Sequence, residues 1–318
     1  MGPFEIRPAM ADDEARIVDI YNSHQQGRVP LTVARCRAEC AEAGADDRRV
    51  QLVASRDNTV VGFGGYHWAW WTGHPGVSSM DIRVDPRYCR QGAAASLFDQ
   101  LQSRLTARGA ERIVGWIRSD SEASRGFAAR IGCHATGQVI QEYDLPIAEA
   151  DVSGCADLKA RLGREGLRIA SLAELGAVDE SFLRALQRLW ANSGDDSPDP
   201  EHLYASFDGW QQQVLHAAGL TPETHWVALD GTRPVGMTFL KQLDDHVFEN
   251  DYTGVASTHR RRGIATTLKL CAITWAREQG VESFTTSSET NNRSMIGINT
   301  RLGYHPGAKL CEVARDLA

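Results

Sequence analysis

No apolar run in this sequence approaches the roughly 18 residues that a membrane span requires, so no membrane partner is expected. The opening residues Met1-Gly2-Pro3-Phe4-Glu5-Ile6-Arg7 lack the charged-then-apolar order of a secretion signal, and a cytoplasmic protein is expected. Positive charge is not in excess. The formal net charge is -7, which argues against a non-specific nucleic-acid binder. Cysteine forms no pattern either: there are seven, an odd number, with no Cys-x-x-Cys pair. Cys36 and Cys40 stand one helical turn apart, but no nearby His or Cys pair completes a metal site, so packed, reduced thiols and no metal are expected.

What is present fits ordinary packed cores: 42% hydrophobic and 24% charged residues. A length of 318 residues suggests about two domains. The chain also repeats itself. Leu52-Val53-Ala54 through Val61-Gly62, with a turn at Asp57-Asn58, matches Trp226-Val227-Ala228 through Val235-Gly236, with a turn at Asp230-Gly231. Further on, Val84 and Gly92 match Val255 and Gly263, and Gly132 in Arg130-Ile131-Gly132-Cys133 matches Gly303 in Arg301-Leu302-Gly303-Tyr304. The spacing stays nearly constant, the mark of two copies of one unit.

Each copy has the same element order. A first strand (Phe4 to Arg7; Leu167 to Ala170) leads into amphipathic helices, then a hairpin and a longer strand (Ser79 to Val84; Val247 to Val255). A glycine-containing turn opens a helix whose apolar residues recur at helical spacing: Leu97, Leu101 and Leu105 in one copy, Leu268, Ala272 and Ala276 in the other. Gly109 and Gly280 read as C-terminal helix caps. The fold expected is α/β (α+β): two tandem domains, 1–150 and 151–318, each a mixed, mostly antiparallel sheet flanked by helices. The boundary falls around 147–165, where small and polar residues follow a strand from Gln138 to Leu145.

The chemically informative stretch runs from Thr253-Gly254-Val255 through Arg260-Arg261-Arg262-Gly263-Ile264-Ala265-Thr266. A strand enters a turn with three arginines and a helix begins at the glycine. Amides at a helix start have no intrahelical partner, and the helix dipole adds positive charge there. Together they suit a pyrophosphate. Gly263 lets the backbone approach without a Cβ, and the arginines add charge-assisted contacts. No Lys-Ser/Thr follows the glycine, which excludes a Walker loop, and the glycines of a dinucleotide fingerprint are missing. An ordinary basic helix start is the alternative on these residues alone.

Arg260-x-x-Gly263-x-Ala265 after a strand ending in Val255 resembles the acyl-CoA signature of the GCN-five-related N-acetyltransferase family. The resemblance continues through Asn292, Met295, Ile298 and Leu302-Gly303-Tyr304, and covers nearly the whole chain. It implies acetyl-CoA as cofactor, with Thr253, Gly254 and Val255 holding the pantetheine arm and Arg260 to Thr266 the pyrophosphate. Asn292 would sit near the arm; its other reading is a helix N-cap. In the first copy the turn is Arg87-Tyr88-Cys89-Arg90-Gln91-Gly92-Ala93-Ala94, with Cys89 in place of Arg260, Ser121 in place of Asn292, and Ala128 where many relatives carry a tyrosine. A second cofactor site there would use Ile82, Val84, Arg90, Gln91, Gly92, Ala93 and Ala94, but an inactive first copy is expected.

For catalysis the Val255 N–H is the expected oxyanion donor. By strand alternation Glu249 and Asp251 share a face with Thr253 and Val255, and in a register similar to that of mycothiol synthase they are the candidate carboxylates for the amine. The tyrosine that many relatives use as general acid is absent; Asn299 stands there, and a thiol of pKa near 8.5 leaves with modest help. An acidic loop, Ser193 to Glu201, suits a cationic amine or a solvated surface, and Trp68, Trp70 and Trp71 suit aromatic packing. The expected activity is acetyl transfer from acetyl-CoA to the primary amine of a small molecule, by direct attack in a ternary complex in the C-terminal copy. The alternatives are a mycothiol-synthase-like acetylation of a cysteinyl amine and a non-catalytic acyl-CoA-binding protein.

Overall fold

The computed structural model describes residues 4–24, 30–37, 50–69, 74–193, 207–217 and 219–317. Cys40, Trp70, Trp71 and the acidic loop from 194 to 201 lie outside the described residues. The chain forms two compact units. One comprises Met1–Val139 with Lys309–Ala318, the other Ile140–Ala308.

In the first unit the elements are β1 (Glu5–Pro8), α1 (Glu14–Asn22), β2 (Val50–Arg56), β3 (Thr59–Trp68), β4 (Val77–Val84), α2 (Ala93–Ala107), β5 (Arg112–Arg118) and α3 (Glu122–Arg130). β1 to β4 form an antiparallel meander, and β5 joins β4 in parallel. The expected hairpin turn is present: Asp57 and Asn58 both have positive φ, as a two-residue primed turn requires. Leu97, Leu101 and Leu105 of α2 are buried against Leu52, Ala54 and Val84. That places the start of α2 beside the end of β4.

The following strand, β6 (His134–Pro146), leaves this unit, because Ile140 to Pro146 pair antiparallel with the second unit's β11 (Ser283–Glu289). The last strand, β12 (His305–Asp316), does the converse: Leu310 to Asp316 pair with β5. Each half of the chain therefore completes the other unit's sheet with its closing strand. The expected linear division at 150 differs from the units at both closing strands. Both strands are long, and which edge they meet is decided by long-range hydrogen bonds that local pattern does not encode.

The second unit contains α4 (Cys155–Arg164), β7 (Leu167–Ser171), α5 (Glu180–Ser193), β8 (His225–Asp230), β9 (Arg233–Asp244), β10 (Val247–Val255), α6 (Ile264–Glu278), β11 and α7 (Arg293–Arg301). Its sheet order is β7-β8-β9-β10-β11-β6. One face packs on α6 through Leu240, Phe248, Val255, Leu268, Ala272 and Phe284. The opposite face packs on α5 through Leu186, Leu189, Val227, Met237 and Phe239. The later part of the stretch read as a boundary, Cys155–Arg164, is helix α4, whose Leu162 is fully buried in the α6-side core.

Candidate active site

The chemistry gathers where β10 parts from β11. The two strands are parallel neighbours only from Val247 to Glu249, opposite Ser283 to Thr285. Beyond that point Thr286 still bridges the gap, its hydroxyl donating to the Asn250 carbonyl at 2.8 Å. On its other side β10 stays paired with β9 as far as Val255 opposite Gly236. The Ala256 amide donates to the Val235 carbonyl at 2.9 Å. Hydrogen-bonded and non-hydrogen-bonded pairs alternate in an antiparallel ladder. Val255 and Thr253 are therefore in non-hydrogen-bonded pairs, and their N–H groups point away from β9 into the opening. The Arg260 side chain reaches the Val255 carbonyl at 3.2 Å, consistent with that outward orientation.

One expectation about the carboxylates is corrected. Asn250 pairs with Leu240 but Tyr252 pairs with Phe239, so Asp251 is a one-residue bulge. A bulge reverses the alternation. Thr253 and Val255 face the α6 side with Phe248, whereas Glu249, opposite Lys241, shares its face with Tyr252 and the α5 side. The ring of Tyr252 stacks 5.6 Å from Phe239, and its hydroxyl donates to the Trp190 carbonyl at 3.1 Å. Glu249 is half-buried and Asp251 exposed. Protein nevertheless surrounds the Asp251 carboxyl closely enough to raise its pKa, with the Lys241 ammonium opposing the shift.

The arginine-rich turn has the shape an anion site needs. Arg261 has φ 62° and Gly263 φ 83°, so two left-handed residues fold the chain back before α6 begins at Ile264. Gly263 is the N-cap and offers no side-chain cap to the first amides, which include those of Ile264, Ala265 and Thr266. Arg260 and Arg261 are exposed, Arg262 is half-buried, and Ile264 is buried in the core that fixes the helix start. A feature not legible in the sequence joins them: Arg161 on α4 donates to the Arg262 carbonyl at 2.7 Å, and Glu165 accepts from Arg262 at 2.8 Å. The positive φ of Gly263 is what calls for glycine here; a Cβ would also lie 2.7 Å from the end of the Arg161 side chain, which would have to move aside. Asn292 caps α7, accepting from the Met295 amide at 3.0 Å.

Asn299, in the place of the expected tyrosine, is wholly buried. It accepts a hydrogen bond from the Lys269 ammonium at 2.9 Å, and its amide donates to Ser288 Oγ at 3.3 Å. Tyr304 is buried 4.9 Å from the same ammonium, measured to the ring centre.

The first unit repeats the backbone shape with different occupants. β4 and β5 pair only from Val77 to Ser79, and Arg90 (φ 61°) and Gly92 (φ 99°) match Arg261 and Gly263. Gln91 is held by Arg56 at 2.6 Å, and Ala93 is buried at the start of α2 with half-buried Ala94 following. Ile82 is half-buried. The outward carbonyl of Val84 is met by the His24 ring at 2.9 Å. Cys89 contributes a thiol raised by burial where the second unit has Arg260. Ser121 caps α3 as Asn292 caps α7, and Ala128 is buried. Trp68 donates to the His74 carbonyl at 3.1 Å.

The acetyltransferase (GNAT) family model matches the chain twice, at residues 15–133 and 182–304, and the chain belongs to that family. It is an acetyltransferase with two GNAT domains in tandem. A mycothiol acetyltransferase of Nocardia farcinica (strain IFM 10152) is 24% identical over 273 residues, covering 80% of this chain and 79% of the relative. The crystal structure of a GCN5-related N-acetyltransferase from Sphaerobacter thermophilus is similar at TM-score 0.74 and 16% identity, over 98% of this chain and 95% of its own. A tandem GNAT protein from the clavulanic acid biosynthesis pathway is similar at TM-score 0.73 and 14% identity, over 99% and 98%. These two likenesses concern the fold.

Proposed function

We propose that the chain is an acetyl-CoA-dependent N-acetyltransferase that acetylates the primary amine of a small molecule in its C-terminal unit, by direct attack in a ternary complex. The observation that carries this is the pair of outward amides, Thr253 and Val255, beside the Arg260–Gly263 turn. The residues fit the cofactor. Arg260, Arg261, Arg262 and the first amides of α6 suit its phosphates, and Gly263 leaves no Cβ in their way. Thr253 to Val255 suit an amide-bearing arm that extends the sheet. When bound, acetyl-CoA supplies the acetyl group as a thioester.

The protein's own groups then act on charge. The Val255 N–H is aimed into the opening, where a carbonyl oxygen gaining charge needs a donor. Glu249, on the α5 face, receives the proton of the attacking amine directly or through water. Asp251, exposed at the bulge, helps to hold a cationic amine. The first unit is read as diverged and non-catalytic, since His24 meets Val84 and Cys89 replaces an arginine. A second reading, acetylation of a cysteinyl amine, is favoured by the similarity to the Nocardia mycothiol acetyltransferase. A panel of primary amines, cysteinyl amines included, followed by release of free CoA tests both. Amine-dependent release supports transfer and names the acceptor class; CoA binding without amine-dependent release supports the non-catalytic reading instead.

A further inference from the structure

Lys269 is a buried cation for which the acetyl-transfer account above has no use. It is 2% exposed on α6. No acidic side chain among the described residues balances it, and burial pushes its ammonium down to about 7. The polar groups around it are Asn299 on α7, Ser288 on β11 and Tyr304 at the entry to β12. Tyr304 is also buried, which holds its phenol above its ordinary value and neutral. A lone buried charge is costly to keep, so what it orients is informative.

Hydrogen-bond polarity answers that in one direction only. An ammonium donates and never accepts, so the oxygen of Asn299 faces Lys269, at 2.9 Å. The amide nitrogen is thereby left for Ser288, whose oxygen accepts it at 3.3 Å. The one hydrogen of Ser288 is free to donate, and among the described residues it meets no acceptor. Ser288 lies three residues past Thr285, the last residue of β11 paired with β10. It shares a strand face with Thr286, which still spans the gap to Asn250. It is thus on the opened edge, facing the same α6 side as Thr253 and Val255.

The geometry points to Ser288 as the hydrogen-bond donor for the sulfur of the bound cofactor, with Lys269 and Asn299 as the residues that position and polarise it. This rests on the reading of the C-terminal unit as the acetyl-CoA site. As the amine nitrogen bonds to the acetyl carbon, the carbon–sulfur bond breaks and its electron pair stays on sulfur. The amine proton goes to Glu249 or water, and the sulfur is stabilised by the Ser288 hydrogen bond, joined below about pH 7 by the positive charge of Lys269, without taking a proton from either. Val255 serves the carbonyl oxygen, so the two sites of developing charge have separate donors.

The test needs no acceptor. CoA and desulfo-CoA are titrated into the full chain, and bound thiolate is read from the ultraviolet difference between the two complexes across pH. The wild type is expected to hold a thiolate fraction about tenfold above that of free CoA near neutral pH, a displacement of about 1.4 kcal/mol. Lys269→Met and Ser288→Ala are expected to return it to the free value while desulfo-CoA binds as before. Ser288→Ala removes one oxygen and keeps the fold should the lysine variant lose it. CoA bound with equal thiolate fractions in wild type and Ser288→Ala overturns the inference. Failure of the wild type to bind either probe overturns instead the cofactor-site reading beneath it.

Discussion

Arg262 and Glu165 are joined at 2.8 Å across 97 residues of sequence, which fastens helix α4 to the proposed pyrophosphate turn. The pair lowers the Glu165 pKa, through the hydrogen bond from Arg262 first, so the carboxylate persists below its usual range. It also occupies a guanidinium that a phosphate would use. Glu165→Gln is expected to tighten acetyl-CoA binding roughly two- to fivefold, the scale of one exposed ion pair, by equilibrium titration. Weaker binding would show that Glu165 orients Arg262 productively and does not compete for it.

Glu249→Gln is expected to lower turnover on an accepted amine by ten- to a hundredfold or more, the scale of general-base loss, with acetyl-CoA affinity nearly unchanged. Unchanged turnover would remove Glu249 from the site.

Asp251 has a raised pKa, so it stays protonated to higher pH than an ordinary aspartate. If its carboxylate holds the cationic amine, kcat/KM falls as pH drops through that raised value. Asp251→Asn is expected to flatten this acid limb, measured as kcat/KM against pH. An acid limb unchanged in the variant would assign it to another group.

Lys269 gives a stability signature independent of catalysis. Its folded pKa, about 7, lies below the unfolded value of about 10.4. Below pH 7 both states carry the proton and the cost of burying the charge is complete. Between about 7 and 10 the unfolded chain binds the proton and the folded one does not, so the native state gains stability as pH rises. Lys269→Met is expected to be more stable than the wild type by on the order of 2–4 kcal/mol at pH 6, less what Asn299 loses, with the advantage fading towards pH 10. Denaturant unfolding at several pH values measures this. A difference that does not vary with pH would contradict it.

The repeat, the hairpin turn at Asp57-Asn58 and the helix start at Gly263 were legible because each depends on local chemistry; the second turn falls at Gly231-Thr232, one residue later than Asp230-Gly231, since Asp230 still pairs with Arg233. Positive φ, a missing Cβ and helical periodicity all leave marks within a few residues. The bulge at Asp251 leaves none: one extra residue in a strand looks like any other, yet it moves Glu249 to the face opposite Val255. The exchange of β6 and β12 is equally silent, since either strand would satisfy either sheet edge. Arg161 and Glu165 were hidden because a short amphipathic helix followed polar, small residues and read as a boundary. Lys269 was hidden because at helical spacing one cation among Leu268, Leu270 and Ala272 looks like a surface break, and only burial shows otherwise.

The central claim is that the cofactor site lies in the C-terminal unit, at the turn that carries Arg262. Its most direct test is equilibrium binding of acetyl-CoA to Arg262→Glu and to Arg90→Glu, the matched charge reversals in the two copies. The account predicts that Arg262→Glu abolishes high-affinity binding and that Arg90→Glu leaves it nearly intact. Equal losses, or a larger loss at Arg90, would contradict it.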